Sequence, residues 1–526
     1  MTSTEICLLI AIIAYLGLTV LIGVYYSKKG SASSTANFYL GGRGLHPVVT
    51  AMSAEASDMS SYLLMGLPGL AYLCGVAEVG WTVLGLAVGT YLNFLLVAKR
   101  LRIYSEKIGA TTIPDFFAKR YEDKKHTLSF IAAMAILIFF IPYTASGFKA
   151  VGTLFNSLFG WDYHMAMIVG AIVIIGYTVL GGFLAVSTTD LIQSVVMSIA
   201  LLIIILFGIG QAGGLSSVIE NAGNLPGYLD LTKGYDISTN SAGSFGILSI
   251  VSTLAWGLGY FGMPHILLRF MAIRNPKEIK VSRRIAAVWV VLSMAIAVFI
   301  GIIGLSISIV GKVPTFQTSA ESETIIVSIA HLMSQNGIFF AIVAGVIMSG
   351  ILAATMSTAD SQLLAAASSM SEDILHEFFG INLDQKKSML VARLTVIAIA
   401  IIGILLAWNP QSSVFRVVSF AWAGFGAAFG PVMLLALFWK RSNRQGAVAG
   451  MITGVLMVFV WKYLIAPMGG VFSIYELLPA FIIALLVNVT VSLLTKVPSE
   501  SINSIYDEVK SECEKKDEDN IEKKAA

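Results

Sequence analysis

Charge is what this sequence has least of. Only 12% of its 526 residues are Asp, Glu, Lys or Arg, about half the share found in an ordinary soluble domain, so a normally solvated surface is excluded. The net charge of +3 is small and its basic residues are spread among connections, which gives no footprint for nucleic acid. The three cysteines, Cys7, Cys74 and Cys513, have neither disulfide nor metal spacing. No paired nucleophile and base, His/Cys cluster or phosphate-cradling glycine loop stands out, so an enzyme is the weakest reading. What is abundant is apolar: 56% hydrophobic residues with a mean hydropathy of +0.82 describe an all-α polytopic membrane protein.

With about 20 apolar residues per span as the ruler, about thirteen spans are expected, beginning near Glu5, Pro47, Val76, Leu128, His164, Leu191, Phe245, Ile285, Ile338, Leu390, Val414, Gly446 and Tyr475. The first run has no basic region before it and no small-residue cleavage site after it, and reads as a retained helix. Lys28, Lys29 and Arg43 fall in the first connection, eight basic residues from Lys99 to Lys125 in the third, Arg269 to Arg284 in the seventh, and Lys440, Arg441 and Arg444 in the eleventh. The intervening connections hold little beyond Lys149, Lys233, Lys312 and Lys462. The odd connections are therefore expected inside the cell, with the N-terminus outside and the C-terminus in the cytoplasm of a multi-pass cell-membrane protein. The mixed-charge tail at 496–526 reads as a disordered cytoplasmic end.

Breaks within the spans carry more information than the spans. The stretch SAEASDMSSYLLMGLPG, Ser53 to Gly69, puts Glu55 and Asp58 inside a run long enough to cross a bilayer. An ionised carboxylate there costs about 3 kcal/mol in lipid, so each must face protein, water or an ion. The seventh span carries Gly257, Gly259, Gly262 and Pro264. Two broken helices five spans apart fit a five-plus-five inverted repeat, the arrangement in which transporters hold substrate and ions at the midplane. That divides the chain into an extra helix and loop (1–45), a first repeat (46–210, spans 2 to 6), a second repeat (211–440, spans 7 to 11), two further helices (441–495) and the tail (496–526).

Three more features belong to this core. In the ninth span Ser357, Asp360 and Ser361 share a helical face with Thr358 beside them; oxygen ligands of this kind suit a hard monovalent cation, while small residues also serve close helix packing. Asp360 is the residue that packing does not explain. Asp190 follows VSTT at the head of the sixth span, and is either a helix cap or a cation ligand facing the ninth. Trp256, Tyr260 and Pro264 recur at four-residue spacing, as a packing stripe or as a cradle for a compact apolar ring.

The segments ASDMSSYLLMGLPG, LAWGLGYFGMPHILLRFMA, FLAVSTTD, MSTADSQLLAAASSMSEDI and SFAWAGFGAAFGPV resemble those of the sodium/solute symporter family, from about Asn37 to about Lys462. The resemblance implies a thirteen-helix form of the inverted-repeat, broken-helix (LeuT-like) fold and sodium-coupled import of proline or a similar small solute. It assigns the main sodium position to backbone oxygens of Ala56, Met59 and Ala354 and to the hydroxyls of Ser357 and Thr358. Asp58 would organise the sodium and substrate region, with Ser60 beside it. Trp256, Tyr260 and Pro264 match substrate-pocket residues, and Tyr143 matches a tyrosine needed for transport. Asp190, Ser357 and Ser361 match a second cation position, which Asp360 adjoins.

The chain also departs from the family's proline-transporting members. Glu55 stands where glycine is expected, Met263 replaces a glutamine, and Asp360 replaces a small hydroxyl. Glu55 is read either as a pH-linked carboxyl beside the inward release path, protonated without sodium and ionised as sodium passes, or as a buried acid hydrogen-bonded to neighbouring serines. One sodium ion entering down 100 mV and a tenfold gradient releases about 3.7 kcal/mol, enough for roughly 500-fold accumulation of a zwitterion. A channel would want a continuous polar pore, and a sensor an added signalling domain.

Overall fold

A computed structural model describes residues 2–28, 39–382 and 384–525; Lys29 of the first basic connection lies outside them. The described chain is helical apart from its connections and one antiparallel hairpin, Lys233–Asp236 with Ser241–Ser244. The helices that matter are α1 (Ser3–Lys28), α2 (Pro47–Asp58), α3 (Tyr62–Cys74), α4 (Val76–Lys107), α5 (Thr127–Phe159) and α6 (Tyr163–Gln211). They continue as α7 (Ile247–Gly262), α8 (Pro264–Ala272), α9 (Pro276–Ile309), α10 (Ile325–Ser334), α11 (Ile338–Phe378), α12 (Gln385–Leu406) and α13 (Val414–Phe438). The last are α14 (Arg444–Met468), α15 (Leu477–Leu494) and α16 (Glu500–Ala525).

Among the described residues, ten helices are long and apolar enough to cross a bilayer, and the bent pair α7–α8 makes an eleventh. Two of the expected thirteen fall short of that test because they are interrupted. The second is split into α2 and α3 around Met59, whose ψ of 42° leaves the helix. Nine residues on, Pro68 brings no N–H, and a π-turn over Tyr62–Gly66 takes up the mismatch. The fifth ends where Gly182 adopts φ 66°, which kinks α6 into two limbs. Leu21, Ile172, Leu206, Leu405 and Leu486 are exposed on the outer surface, the apolar exterior that lipid rather than water tolerates.

The seventh span breaks as its glycines and proline foretell. Ala255–Gly262 tightens into a 3-10 helix, Met263 is extended (φ −76°, ψ 108°), Pro264 starts α8, and the two halves meet at 47°. A Cβ at Gly257 would strike the carbonyl oxygen of Gly85 on α4, so this glycine permits backbone contact between the helices. α11 lies at the centre, packed on α6, α1 and α5.

The tail differs from its expected disorder. α16 buries Ile502, Tyr506, Val509 and Cys513 along one face and packs on the end of α4, pinned by Lys107–Glu508 (2.6 Å) and Lys440–Asp507 (2.5 Å). The apolar residues recur every three to four positions, a period the high charge content conceals.

Candidate functional site

The breaks in α2–α3 and α7–α8 face each other. Tyr260, on the 3-10 turn, donates from its hydroxyl to Asp58 Oδ2 at 2.6 Å, and Tyr143 of α5 donates to the Asp58 carbonyl at 3.2 Å. Ser60 follows in the unwound segment, its N–H donating to the Asp58 carbonyl (2.8 Å) and its hydroxyl accepting from Tyr62 N–H (3.2 Å). All four side chains are buried. An unwound carbonyl and a buried carboxylate in one place form the kind of site that broken helices supply for ions and polar substrate groups.

Beside it, α11 approaches α2. Ser357 Oγ donates to the Ala56 carbonyl at 2.7 Å and lies 3.2 Å from the Ala354 carbonyl, which Thr358 Oγ1 also reaches at 3.2 Å. Four of the five expected main-site residues therefore converge, with Met59 at the adjacent break. These are neutral hydroxyl and carbonyl oxygens, a donor set for a hard cation. Among the described residues there is no group of three or more His, Cys, Asp or Glu suited to a metal.

Above the breaks opens a cavity of about 1250 Å³. Cys74, Phe245, Ser319, Ser412 and Glu476 are among its lining residues, each in or next to an even-numbered connection. Trp256 is at its floor, stacked near Tyr62 (5.8 Å), Phe415 (5.3 Å) and Tyr475 (5.1 Å). In the wall the Glu323 carboxylate accepts from Ser413 Oγ and from the N–H groups of Val414 and Phe415 at 2.6–3.1 Å, capping α13. The ammonium of Lys149 lies 3.6 Å from it.

Several expectations need correction. Trp256, Tyr260 and Pro264 do not form one stripe: in a 3-10 helix four residues advance about 480°, so Tyr260 turns about 120° from Trp256. Trp256 lines the cavity, Tyr260 meets Asp58, and Pro264 is buried at the start of α8. Trp422 joins the two tyrosine and tryptophan positions instead, its indole N–H donating to the Trp256 carbonyl (2.8 Å) and its ring edge-on to Tyr260 (5.0 Å). Asp190 is no helix cap, because α6 runs through it from Gly182; its Oδ2 accepts from Ser53 Oγ (2.6 Å) and from Arg269 (2.9 Å). Glu55 is not held by its neighbouring serines: among the described residues both its carboxylate oxygens are buried without a hydrogen-bond partner, Ser53 is turned to Asp190, and Ser57 bonds the Ala54 carbonyl. Asp360 is buried, with Ser361 Oγ 3.4 Å from its Oδ1.

The sequence places Arg269 with the basic seventh connection, yet it is 1% exposed inside α8. An arginine five residues after a helix-breaking proline in an apolar run was the available signal. Trp422, Phe415 and Tyr62 were missed because aromatic residues in a membrane helix carry no distinguishing period.

The model for the sodium:solute symporter family matches residues 38–454. The chain belongs to that family. It is 39% identical over 509 residues, 95% of each chain, to a sodium/proline symporter of Staphylococcus aureus (strain USA300 / TCH1516). Its fold matches that of a sodium-coupled sialic acid symporter in a substrate-bound outward-open state, with a TM-score of 0.76, 20% identity, and coverage of 94% of this chain and 99% of that one. It also matches Mhp1, a nucleobase-cation-symport-1 family transporter, with a TM-score of 0.52, 14% identity, and coverage of 89% and 98%. This symporter is thus sodium-coupled, a multi-pass membrane transport protein with broken helices and not an enzyme.

Proposed function

We propose that this symporter imports L-proline, coupling each molecule to sodium entry by alternating access. The observation that carries the reading is the bridge from Ser357 Oγ to the Ala56 carbonyl, 2.7 Å long, beside the Asp58–Tyr260 contact under the cavity. Sodium at Ala56, Met59, Ala354, Ser357 and Thr358 takes ligands from two elements, α2 and α11, and so favours the arrangement that holds them together. That arrangement keeps the cavity open for substrate. Asp58, Ser60 and Tyr143 orient the polar end of proline, and Trp256, Tyr260 and Pro264 enclose its ring. The name of the Staphylococcus aureus relative supports proline; Met263, beside the pocket, leaves another small amino acid or organic solute as the second reading.

The same proposal includes the topology. The interrupted second and fifth segments also cross, giving thirteen spans, with 46–210 and 211–440 as inverted repeats. The basic odd connections face the cytoplasm, the N-terminus is outside, and the cavity opens to the exterior. Equilibrium binding of labelled proline to the purified protein tests the substrate: sodium should raise affinity and potassium should not. Equal binding in both salts, or none in sodium, would exclude the reading.

A further inference from the structure

Six charged side chains line the cavity above the breaks: Glu78, Lys149, Glu323, Arg416, Lys462 and Glu476. Four of them are matched where they stand. Lys149 lies 3.6 Å from Glu323, and Lys462 lies 2.9 Å from Glu476. Glu78, in the first turn of α4, and Arg416, in the first turn of α13, are left over. Among the described residues neither makes an ion pair, although each is close enough to feel the other's charge. The thiol of Cys74 is near both and lines the same space.

We propose that Glu78 and Arg416 form a receiving station that takes the substrate as a zwitterion: the Arg416 guanidinium holds its carboxylate and Glu78 its ammonium, before it passes Trp256 to the Asp58 break. The inference rests on the reading that a small amino acid enters through this cavity, and adds the first place at which it is held.

The size of the cavity leads there. At about 1250 Å³ it is far larger than a small amino acid, so shape does not select one at this stage. Charge does. In an amino-acid zwitterion a single carbon separates the two charged groups, so opposite charges are presented side by side. Two opposite wall charges that do not close on each other leave a gap for such a molecule. A guanidinium suits its carboxylate, because the planar donors match the two oxygens. A solute with one charge gains one contact and meets a like charge at the other.

Helix stability accounts for only one of the two residues. An acid in the first turn of α4 is favoured by the helix dipole, whereas a cation in the first turn of α13 is not. The start of α13 is already capped by Glu323, whose charge Lys149 matches. Arg416 is nevertheless exposed in the cavity wall. Its neighbour Phe415 packs on Trp256 at 5.3 Å, so an amino acid held by Arg416 rests just above the aromatic floor.

The test uses Cys74 as a reporter in the purified full-length protein, in potassium buffer where no sodium loads the main position. The rate at which N-ethylmaleimide alkylates it, read by mass spectrometry of the Cys74 peptide, should fall as proline is added. Free glycine, with the same two charges and no ring, should protect as well; prolinamide, which lacks the carboxylate, should not. Arg416→Gln and Glu78→Gln should each raise the protecting concentration about 5-fold, the effect of losing one solvent-exposed charge contact. Alkylation unaffected by both zwitterions, equal protection by prolinamide, or unchanged protection in either variant would overturn the proposal. If Cys74 alkylates too slowly to follow, Ser249→Cys puts a thiol at an exposed position of α7 in the same cavity, and the same outcomes decide. The underlying reading fails separately: were proline not the solute imported, its sodium-dependent binding would be absent while both zwitterions still protected Cys74.

Discussion

Thr358 offers the cleanest perturbation of the sodium position, because its hydroxyl makes no contact that holds two helices together. Its Oγ1 lies 3.2 Å from the Ala354 carbonyl of its own helix, whereas Ser357 Oγ bridges to Ala56 on α2. Thr358→Ala therefore removes an oxygen ligand and one methyl group. A neutral hydroxyl facing a buried charge contributes about 1.5–3 kcal/mol, which raises the sodium concentration for half-maximal uptake by about 10- to 150-fold. The lost methyl costs about 0.8 kcal/mol of burial and affects folding rather than the ion. Thr358→Ser separates the two, keeping the hydroxyl while losing the methyl. Sodium activation of labelled proline uptake, measured for wild type and both variants at matched abundance, should place the serine variant within about 3-fold of wild type. If alanine and serine variants behave alike, the hydroxyl does not bind sodium and the site is misplaced.

The other predictions concern separate parts of the molecule. Trp256→Ala should weaken proline binding by about 10-fold or more and leave substrate-free sodium binding unchanged; intact proline affinity would move the pocket elsewhere. Glu55→Gln should flatten the pH profile of transport and alter sodium release, because a buried carboxyl without a hydrogen-bond partner is replaced by a group that cannot take up or lose a proton; an unaltered profile would make Glu55 structural. Tyr506→Ala removes one of three tyrosine rings around the Arg120 guanidinium, at 5.6 Å beside Tyr121 at 5.0 Å and Tyr104 at 5.4 Å. It should lower the apparent melting temperature by about 1 °C for each kcal/mol lost without changing sodium activation, and an unshifted melting temperature would show that α16 is not docked through that ring.

How much of this was legible in the sequence depended on the kind of signal. Glycine and proline mark backbone departures directly, so the sequence alone points to breaks within several residues of Met59 and Met263. Ser357 and Thr358 are candidates in the sequence because hydroxyls adjacent on a small-residue helix stand out against leucine and isoleucine. The Ser357–Ala56 contact spans 301 positions, and no local pattern records it. The same limit hid the partner of Asp190: Arg269 looked like one more cytoplasmic charge, since hydropathy counts charges near span ends without showing which way they point. The aromatic stripe failed for another reason, the assumption of α-helical period where Gly257, Gly259 and Gly262 allow a 3-10 helix. In α16 a regular apolar face was masked by surrounding Lys, Glu and Asp.

Uptake of labelled proline into proteoliposomes of the purified protein, loaded without sodium and diluted into sodium buffer at an inside-negative potential, is the most direct test of sodium-driven proline import. Proline should accumulate transiently above equilibrium, and a sodium ionophore should abolish the overshoot. Uptake that only equilibrates, or that is unchanged when potassium replaces external sodium, would contradict it.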